Sequence, residues 1–136
     1  MRNHSLGFTL LELLAAIVIL GIVAGVAIPR FVDLSHSARE SSAQAIAGSL
    51  GSASAINHAT DIVARTDLNS PSPVPVFNCQ SAQNLLDSGS LAGYRIEPGS
   101  GEPASLTSGQ TAVCEVIDES DGSVRATFVL HGVGPT

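Results

Sequence analysis

A long apolar run near the N-terminus is the clearest pattern in the chain. A short polar stretch, residues 1–7, precedes a run from Phe8 to Ile28 in which Glu12 is the one charged residue. A helix of that length measures roughly 30 Å, because each residue adds about 1.5 Å, and this matches the hydrocarbon core of a bilayer. The pattern therefore predicts a membrane-spanning helix. A carboxylate is costly in hydrocarbon, so we expect Glu12 to have a partner.

The next segment, from Arg30 to about Arg65, has helical periodicity. Apolar residues recur there at steps of three and four positions and their multiples, which predicts an amphipathic helix. We expect its buried face to consist of Phe31, Leu34, Ala38, Ile46, Leu50, Ala53, Ile56 and Val63. Polar residues such as Asp61 are expected on the solvent side. Gly48 and Gly51 predict close packing against a sheet with little area buried per residue.

A proline-rich stretch, residues 69–75, ends this helix, because alternate prolines exclude both helix and central strand. Beyond it we expect a short helix over Ser81–Asp87, with Leu85 and Leu86 buried and Gly89 as its stop. Three strands are then predicted over Leu91–Ile96, Thr111–Ile117 and Ser123–Leu130. The last two strands form a hairpin, because Val124, Ala126, Phe128 and Leu130 alternate with polar positions.

Composition and charge exclude some functions. The chain has 136 residues and a formal net charge of −6, and all its basic residues are arginines. A nucleic-acid interface needs clustered basic groups, so binding to DNA or RNA is not expected. The length allows one globular unit besides the apolar helix. No nucleophile and base stand in a recognisable arrangement, so we expect neither an enzyme nor a cofactor site.

Two polar groups suggest chemistry only weakly. His58 and Asp61 are spaced for one helix face, as in a catalytic or metal pair, but ordinary surface polarity explains them better. The acidic residues Asp118, Glu119 and Asp121 precede Gly122 and faintly suggest calcium. Their spacing does not fit a twelve-residue calcium loop, and Asp-Gly is a favoured turn pair. We therefore expect a solvated hairpin turn and no metal.

The N-terminal segment resembles the processing site of type IV prepilins and type II secretion pseudopilins. The residues that carry the resemblance are Gly7-Phe8-Thr9-Leu10-Leu11-Glu12-Leu13. The resemblance implies that a prepilin peptidase cuts after Gly7 and methylates the new amine of Phe8. It also implies that Glu12 and Pro29 act in filament assembly. The continuation Pro29-Arg30-Phe31-Val32-Asp33-Leu34, followed by Ala38-Arg39, looks most like pilins of the mannose-sensitive haemagglutinin type.

This resemblance implies a pilin-like α+β fold in which a long N-terminal helix packs on a small antiparallel sheet. The expected parts are a leader (1–7), a transmembrane and filament-core helix (8–29), an amphipathic half (30–66) and a β-rich domain (67–136). The protein would sit in the inner membrane, with its leader in the cytoplasm, before entering an extracellular pilus or a periplasmic pseudopilus. Its partners would be identical subunits, the prepilin peptidase, an inner-membrane assembly platform and, acting indirectly, a cytoplasmic assembly ATPase.

Three functional interpretations remain open from the residues. The first is a structural pilus subunit serving adhesion, surface attachment or motility, and the second is a type II secretion pseudopilin. The third is a membrane-tethered or secreted binding domain that does not polymerise. An ordinary secretory signal cut after Ala27 would favour this third interpretation, although such signals rarely run this long or contain an acidic residue.

The glycines of the apolar run suit close helix packing. Gly21 and Gly25 have the spacing of a small-xxx-small motif, and Pro29 follows one turn later. Glycine is also common in membrane helices without any packing role. The charge of Glu12 has two possible partners after cleavage: the Phe8 amine of a neighbouring subunit, as the resemblance implies, or that of its own chain.

Cys79 and Cys114 are the two cysteines of the chain. A translocated domain lies where disulfides form and persist, so we expect these residues to pair. The resemblance supports this pairing, since many pilins tie their C-terminal region to the core through a disulfide. Two separate thiols or a metal pair remain as alternatives, although the pattern lacks the clustered ligands of a zinc site.

Overall fold

The computed structural model describes residues 8–66, 71–87 and 91–134. The predicted leader with Gly7, the start of the proline-rich stretch and Gly89 lie outside these residues. The described elements are helix α1 (Leu10–Ala64), a 3₁₀ helix (Gln80–Leu85) and the strands β1 (Tyr94–Pro98), β2 (Thr111–Asp118) and β3 (Arg125–His131). This arrangement confirms the predicted α+β fold. The chain divides into two compact units, Met1–Ser37 and Ala38–Thr136.

The first unit contains the apolar part of α1. The helix continues through Pro29 without a break. It is long and apolar enough to cross a membrane, and no residue of its most apolar window is buried. Large side chains here, such as Leu10 at 82% and Ile22 at 66% relative exposure, contact little of their own chain. Exposure on this scale is unfavourable in water and favourable in lipid or against other helices.

The second unit is a three-stranded antiparallel sheet in the order β1-β2-β3, with the C-terminal half of α1 against one face. The predicted hairpin is confirmed: Cys114 lies opposite Phe128, and Ala112 lies opposite Leu130. These side chains are buried, whereas the alternate residue Val129 is 48% exposed. The sheet therefore buries one face, as the alternating pattern predicts.

The first strand begins later than predicted. Residues 91–93 form a turn in which Ala92 has φ of 33° and Gly93 has φ of 90°. The Tyr94 N–H donates to the Leu91 carbonyl at 3.1 Å and closes this turn. Left-handed backbone cannot continue a strand, so pairing starts at Tyr94 and extends to Pro98.

The short helix after the proline-rich stretch is present, but its buried residue is different. It is a 3₁₀ helix in which Ala82 is buried, whereas Leu85 and Leu86 are only partly buried. The disulfide between Cys79 and Cys114 joins the start of this helix to β2, with a Cα–Cα distance of 5.7 Å. Closing a loop with a sequence separation of 35 stabilises the fold by about 3–4 kcal/mol in the chain-entropy model.

The face that α1 turns toward the sheet differs from the predicted apolar face. Its buried residues recur at steps of four and three positions: Ala43, Ala47, Leu50, Ser54, Asn57 and Asp61. Of the predicted face, Leu50 is fully buried, but Ile56 is 68% exposed and Val63 is 38% exposed. Phe31 and Leu34, in the first unit, are also exposed. The helix therefore buries Leu50 together with alanine and polar residues, and leaves Ile56 and Val63 largely exposed.

Candidate functional site

The N-terminus of α1 is capped by the residue that follows Phe8. The Thr9 Oγ1 accepts a hydrogen bond from the Glu12 N–H at 3.2 Å, and the Thr9 carbonyl accepts from the Glu12 and Leu13 N–H groups at 3.1 Å. Thr9 and Glu12 thus have the spacing and the main-chain bond of a capping box. An acidic side chain in the first turn is also favoured by the helix dipole. Glu12 therefore stabilises the start of the helix locally.

The carboxylate of Glu12 is nevertheless free to meet another group. The residue is exposed in the described chain and is surrounded by exposed leucines, including Leu11 at 76% and Leu13 at 58%. If these leucines enter a membrane or a helix bundle, the carboxylate loses its water with them. A cation near the helix N-terminus would then offset the cost of burying it.

Gly21 and Gly25 lie on the exposed surface of the same helix. A Cβ atom added at either position would meet no described atom within 4 Å. The chain itself therefore does not need glycine at these two positions, although glycine weakens a helix by about 1 kcal/mol relative to alanine. Their absence of side chains matters only to something that approaches the helix from outside. Gly7 lies outside the described residues. For Pro29 the structure describes the backbone, which is helical.

In the second unit, polar side chains fix how α1 sits on the sheet. The Asn57 Nδ2 donates to the Val74 carbonyl and the Val74 N–H donates to the Asn57 Oδ1, both at 2.8 Å. One turn earlier, the Ser54 Oγ accepts the main-chain N–H of His131 at 2.8 Å. Each bond satisfies a main-chain group that would otherwise be orphaned next to the helix. Together these contacts hold α1 to the proline-rich stretch and to the end of β3.

Ser54, Asn57 and Asp61 form a polar line along the buried face of α1, and Asp61 is its last member. Its Oδ2 accepts from the Arg65 Nε at 3.0 Å and from the Ser108 Oγ at 3.4 Å, and its side chain is only 3% exposed. Its Oδ1 is buried and has no partner among the described residues. The expectation that Asp61 belongs to the exposed polar surface is therefore wrong. The carboxylate is buried because it links α1 to the loop that precedes β2.

His58 packs against His131 and not against Asp61. The two imidazole rings are stacked with their centroids 4.9 Å apart and their planes inclined by 15°. The Nδ1 of His131 lies 3.3 Å from the Ser54 Oγ. Partial burial, and secondarily the nearby His58, lowers the pKa of His131. When the ring is neutral, its Nδ1 can accept a hydrogen bond from the Ser54 hydroxyl.

In the acidic hairpin turn, the carboxylate of Asp118 accepts hydrogen bonds from residues of the turn itself. The Oδ1 of Asp118 accepts from the Ser120 N–H and hydroxyl and from the Asp121 N–H. These bonds, led by that of the Ser120 hydroxyl, lower the pKa of Asp118. The turn is also tied to α1, because the Arg39 Nη1 donates to the Ser120 Oγ at 2.8 Å. Asp118 is buried, so it is not one of the solvated turn residues expected from the sequence.

Sequence reasoning missed Ser54 and Asn57 as structural residues. Their signal was present, since they continue the spacing of Ala43, Ala47 and Leu50 along the helix. A rule that assigns polar residues to the solvent side conceals that signal. The main-chain groups that these side chains satisfy belong to distant segments, which the helix sequence does not reveal.

Comparisons with known proteins address the N-terminal segment. Residues 2–28 match the family described as "Prokaryotic N-terminal methylation motif". The segment carries a prokaryotic N-terminal methylation motif. The motif includes Gly7, Phe8 and Glu12 and ends within the apolar half of α1.

A curated relative shares sequence over a longer stretch. The chain is 50% identical over 50 residues to the "Type IV narrow pilus major component PilA5" of Thermus thermophilus. The aligned stretch is 37% of this chain and 43% of the relative, so the chain spans less than half of that protein. The comparison with solved structures found no match. The methylation motif and this similarity support the type IV pilin family.

Asn57 offers a direct test of how α1 is held. Asn57→Ala leaves the N–H and carbonyl of Val74 without their partners, so we expect the free energy of unfolding to fall by about 1–3 kcal/mol. This change is measured by unfolding the full chain with urea in detergent and using hydrogen exchange of the sheet amides as the readout. Ser52→Ala is the control, because among the described residues the exposed Ser52 hydroxyl bonds only to the carbonyl of Gly48, in its own helix. Equal stability of the two variants would contradict the assignment.

His131 predicts a pH dependence of stability. Its folded pKa lies below its ordinary value of 6.5, so between these two values the unfolded chain binds more protons. The free energy of unfolding therefore decreases as the pH falls below about 6.5 and levels off below the folded pKa. Hydrogen exchange of β3, corrected for its intrinsic pH dependence, should show this loss as the pH falls below about 6.5. His131→Gln should remove most of it, and an unchanged profile would refute the prediction.

Proposed function

We propose that this chain is a structural subunit of a type IV pilus filament. The observation that carries the proposal is the methylation motif at the start of a capped helix whose apolar surface is uncovered. Such a surface suits a membrane before assembly and a bundle of like helices afterwards. The similarity to the pilus component PilA5 favours a pilus over a secretion pseudopilus and over a binding domain that does not polymerise. A structural subunit needs no catalytic site.

Processing at Gly7 and Phe8 belongs to the same proposal. A prepilin peptidase hydrolyses the bond between them, and a methyl group is then transferred from a methyl donor to the new Phe8 amine, which gives up a proton. The amine then stands beside Thr9, which caps α1, and about one helical turn from Glu12. Cleavage thus places a positive charge near the carboxylate that must lose its water. The leader is the part of the chain that cleavage removes.

The Phe8 amine of a neighbouring subunit is the proposed partner of Glu12. A pair between subunits offsets the buried charge only when the copies meet in the correct axial register, so it adds specificity to apolar packing. Gly21 and Gly25 let the neighbouring helix approach closely. Pro29, which removes one main-chain donor from the helix, is the point at which α1 loosens most easily within the fibre.

The other proposed partners act in membrane insertion, cleavage and filament assembly. They are identical subunits, an inner-membrane assembly platform, the prepilin peptidase and an assembly ATPase that acts from the cytoplasm. The subunit is held in the inner membrane before assembly and lies in an extracellular pilus afterwards. The residues Pro29–Leu34 and Ala38-Arg39 support a closer likeness to pilins of the mannose-sensitive haemagglutinin type, with adhesion, surface attachment or motility as the role of the fibre.

Processing and polymerisation can be tested together. The full chain is expressed with a pilus assembly system, and the mature protein is examined by intact mass and by electron microscopy. We expect a chain that begins at Phe8, carries one methyl group and forms filaments. Gly7→Glu should leave the leader attached and give no filaments. A mature chain that begins at Ile28 would show instead that the segment is a secretory signal, and the pilin proposal would fail.

If Glu12 acts in assembly, replacing it should reduce filament formation without reducing membrane insertion. Glu12→Val removes a carboxylate from the apolar segment, so insertion should be unchanged or improved while the yield of filaments falls at least tenfold. Membrane fractionation measures insertion, and sheared-filament yield measures assembly. Glu40→Ala serves as the control, because Glu40 is an exposed acid outside the apolar run. Filaments of Glu12→Val in normal amounts would show that the charge pair is not needed.

A further inference from the structure

β3 is an edge strand of the sheet, and half of its main-chain groups point away from β2. The Gly132 N–H donates to the Gln110 carbonyl on the side of β2. The N–H of the preceding residue, His131, donates to Ser54 of α1 and therefore points outward. Main-chain groups alternate in direction along an extended strand, so every second residue of β3 has its N–H and carbonyl on the outer side. We call these groups the β3 edge; they belong to Arg125, Thr127, Val129 and His131.

Two residues in the middle of the β3 edge offer unused hydrogen-bonding groups. The main-chain N–H and carbonyl of Thr127 and of Val129 have no hydrogen-bond partner among the described residues. They form two donors and two acceptors that repeat about every 7 Å along the strand. This set is complementary to the main chain of another extended polypeptide, which presents acceptors and donors at the same spacing. The β3 edge can therefore accept a further strand.

An open groove of about 670 Å³ runs beside the β3 edge, between β3 and α1. We call it the edge groove. On the helix side its wall consists of small or uncharged residues: Gln44, Ala47, Gly48, Gly51 and Ser52. A Cβ atom at Gly48 would meet no described atom within 4 Å, so the space next to this glycine is empty. Among the described residues, Arg125 is the one charged residue that lines the groove, and it is already paired with Glu115. The edge groove therefore favours uncharged side chains.

The opposite edge of the sheet is better protected. There, Arg95 and Glu97 of β1 form an ion pair at 2.8 Å, and the strand ends at Pro98. Charged residues and proline on an edge strand discourage pairing with another chain. β3 has no proline, its register with β2 is unbroken, and the β-branched residues Thr127 and Val129 favour a paired strand. The less protected edge is thus the one beside the groove.

We infer that the β3 edge binds an extended, uncharged segment of a different protein, which adds to the sheet as a fourth strand. Main-chain hydrogen bonds to Thr127 and Val129 supply the affinity. Every second side chain of the added segment points to the helix side of the sheet, where Gly48 and Gly51 leave room for it. The segment needs about five residues, which is the usual length of a strand.

The described residues of a second copy do not provide such a segment. Their extended stretch before the 3₁₀ helix has prolines at alternate positions, and both main-chain groups of its Val74 are bonded to Asn57. The loop between β1 and β2 is held by turns and by the bond from the Leu106 N–H to the Phe77 carbonyl. The added strand therefore comes from a different protein.

A defined peptide tests the β3 edge directly. The full chain, with its disulfide intact, is studied in detergent by amide hydrogen exchange at millimolar concentrations of the acetylated and amidated peptide Thr-Val-Thr-Val-Thr. We expect this peptide to slow the exchange of the Thr127 and Val129 N–H groups at least fivefold and saturably. The control peptide Thr-Pro-Thr-Pro-Thr has the same length but lacks two N–H donors, so it should change the exchange less than twofold.

A matched pair of variants then locates the binding in the edge groove. Gly48→Leu fills the groove from the helix side, whereas Ser49→Leu places the same side chain on the next residue, which is exposed and does not line the groove. Exchange of the β2 amides checks that both variants remain folded. We expect Gly48→Leu to abolish the protection by the valine peptide and Ser49→Leu to retain it.

Three results would overturn the inference. The first is no protection by the valine peptide, or equal protection by the two peptides. The second is protection that persists in Gly48→Leu. The third is slow exchange of the Thr127 and Val129 N–H groups in filaments made of this chain alone, because a second copy would then cover the β3 edge. None of these results decides whether the chain is a pilus subunit, which the processing and filament experiments test separately.

Discussion

The rotation of α1 about its own axis decides which side chains of the second unit are buried and which are presented. That rotation is fixed by polar contacts and not by the hydrophobic effect. Asn57 pairs with both main-chain groups of Val74, and Ser54 accepts the N–H of His131. Apolar burial is non-directional and tolerates rotation, whereas a hydrogen bond to a fixed main-chain group does not. The polar line therefore determines the surface of the domain, although alanine, leucine and the disulfide supply much of its cohesion.

The N-terminal part of α1 presents a related problem on a larger scale. Its large apolar side chains are exposed from Phe8 to Ile28, and Glu12 is the one charged residue within that run. Thr9 stabilises the start of this helix by accepting the main-chain N–H of Glu12, so the Glu12 carboxylate is not used in that bond. In both units, side-chain hydrogen bonds satisfy main-chain groups while large apolar side chains stay exposed.

The features that were predictable from the sequence are those that depend on neighbours along the chain. The apolar run, the alternation in β3 and the hairpin follow from periodicities that hold within a few residues. The turn at Ala92 and Gly93 was harder to predict, because Leu91 and Ala92 are apolar and resemble the start of a strand. The buried face of α1 was predicted wrongly because Asn57 is buried by a hydrogen bond to Val74, a partner 17 residues away. The spacing of Asn57 from Ala47 and Leu50 places it on the buried face, but the helix sequence does not reveal the distant main-chain group that it bonds.

The choice of polar residues on the buried face has a cost that an apolar face would avoid. Leucine in place of Asn57 or Asp61 would add buried apolar area, about 25 cal/mol for each Å². It would also remove the bonds that distinguish one rotation of α1 from another, and Ile56 would then compete for the sheet. Buried polar groups are retained in some proteins because they select one arrangement among several of similar energy. The same logic applies here: the bonds of Asn57 and Ser54 favour one rotation of α1 over others that would turn Ile56 toward the sheet.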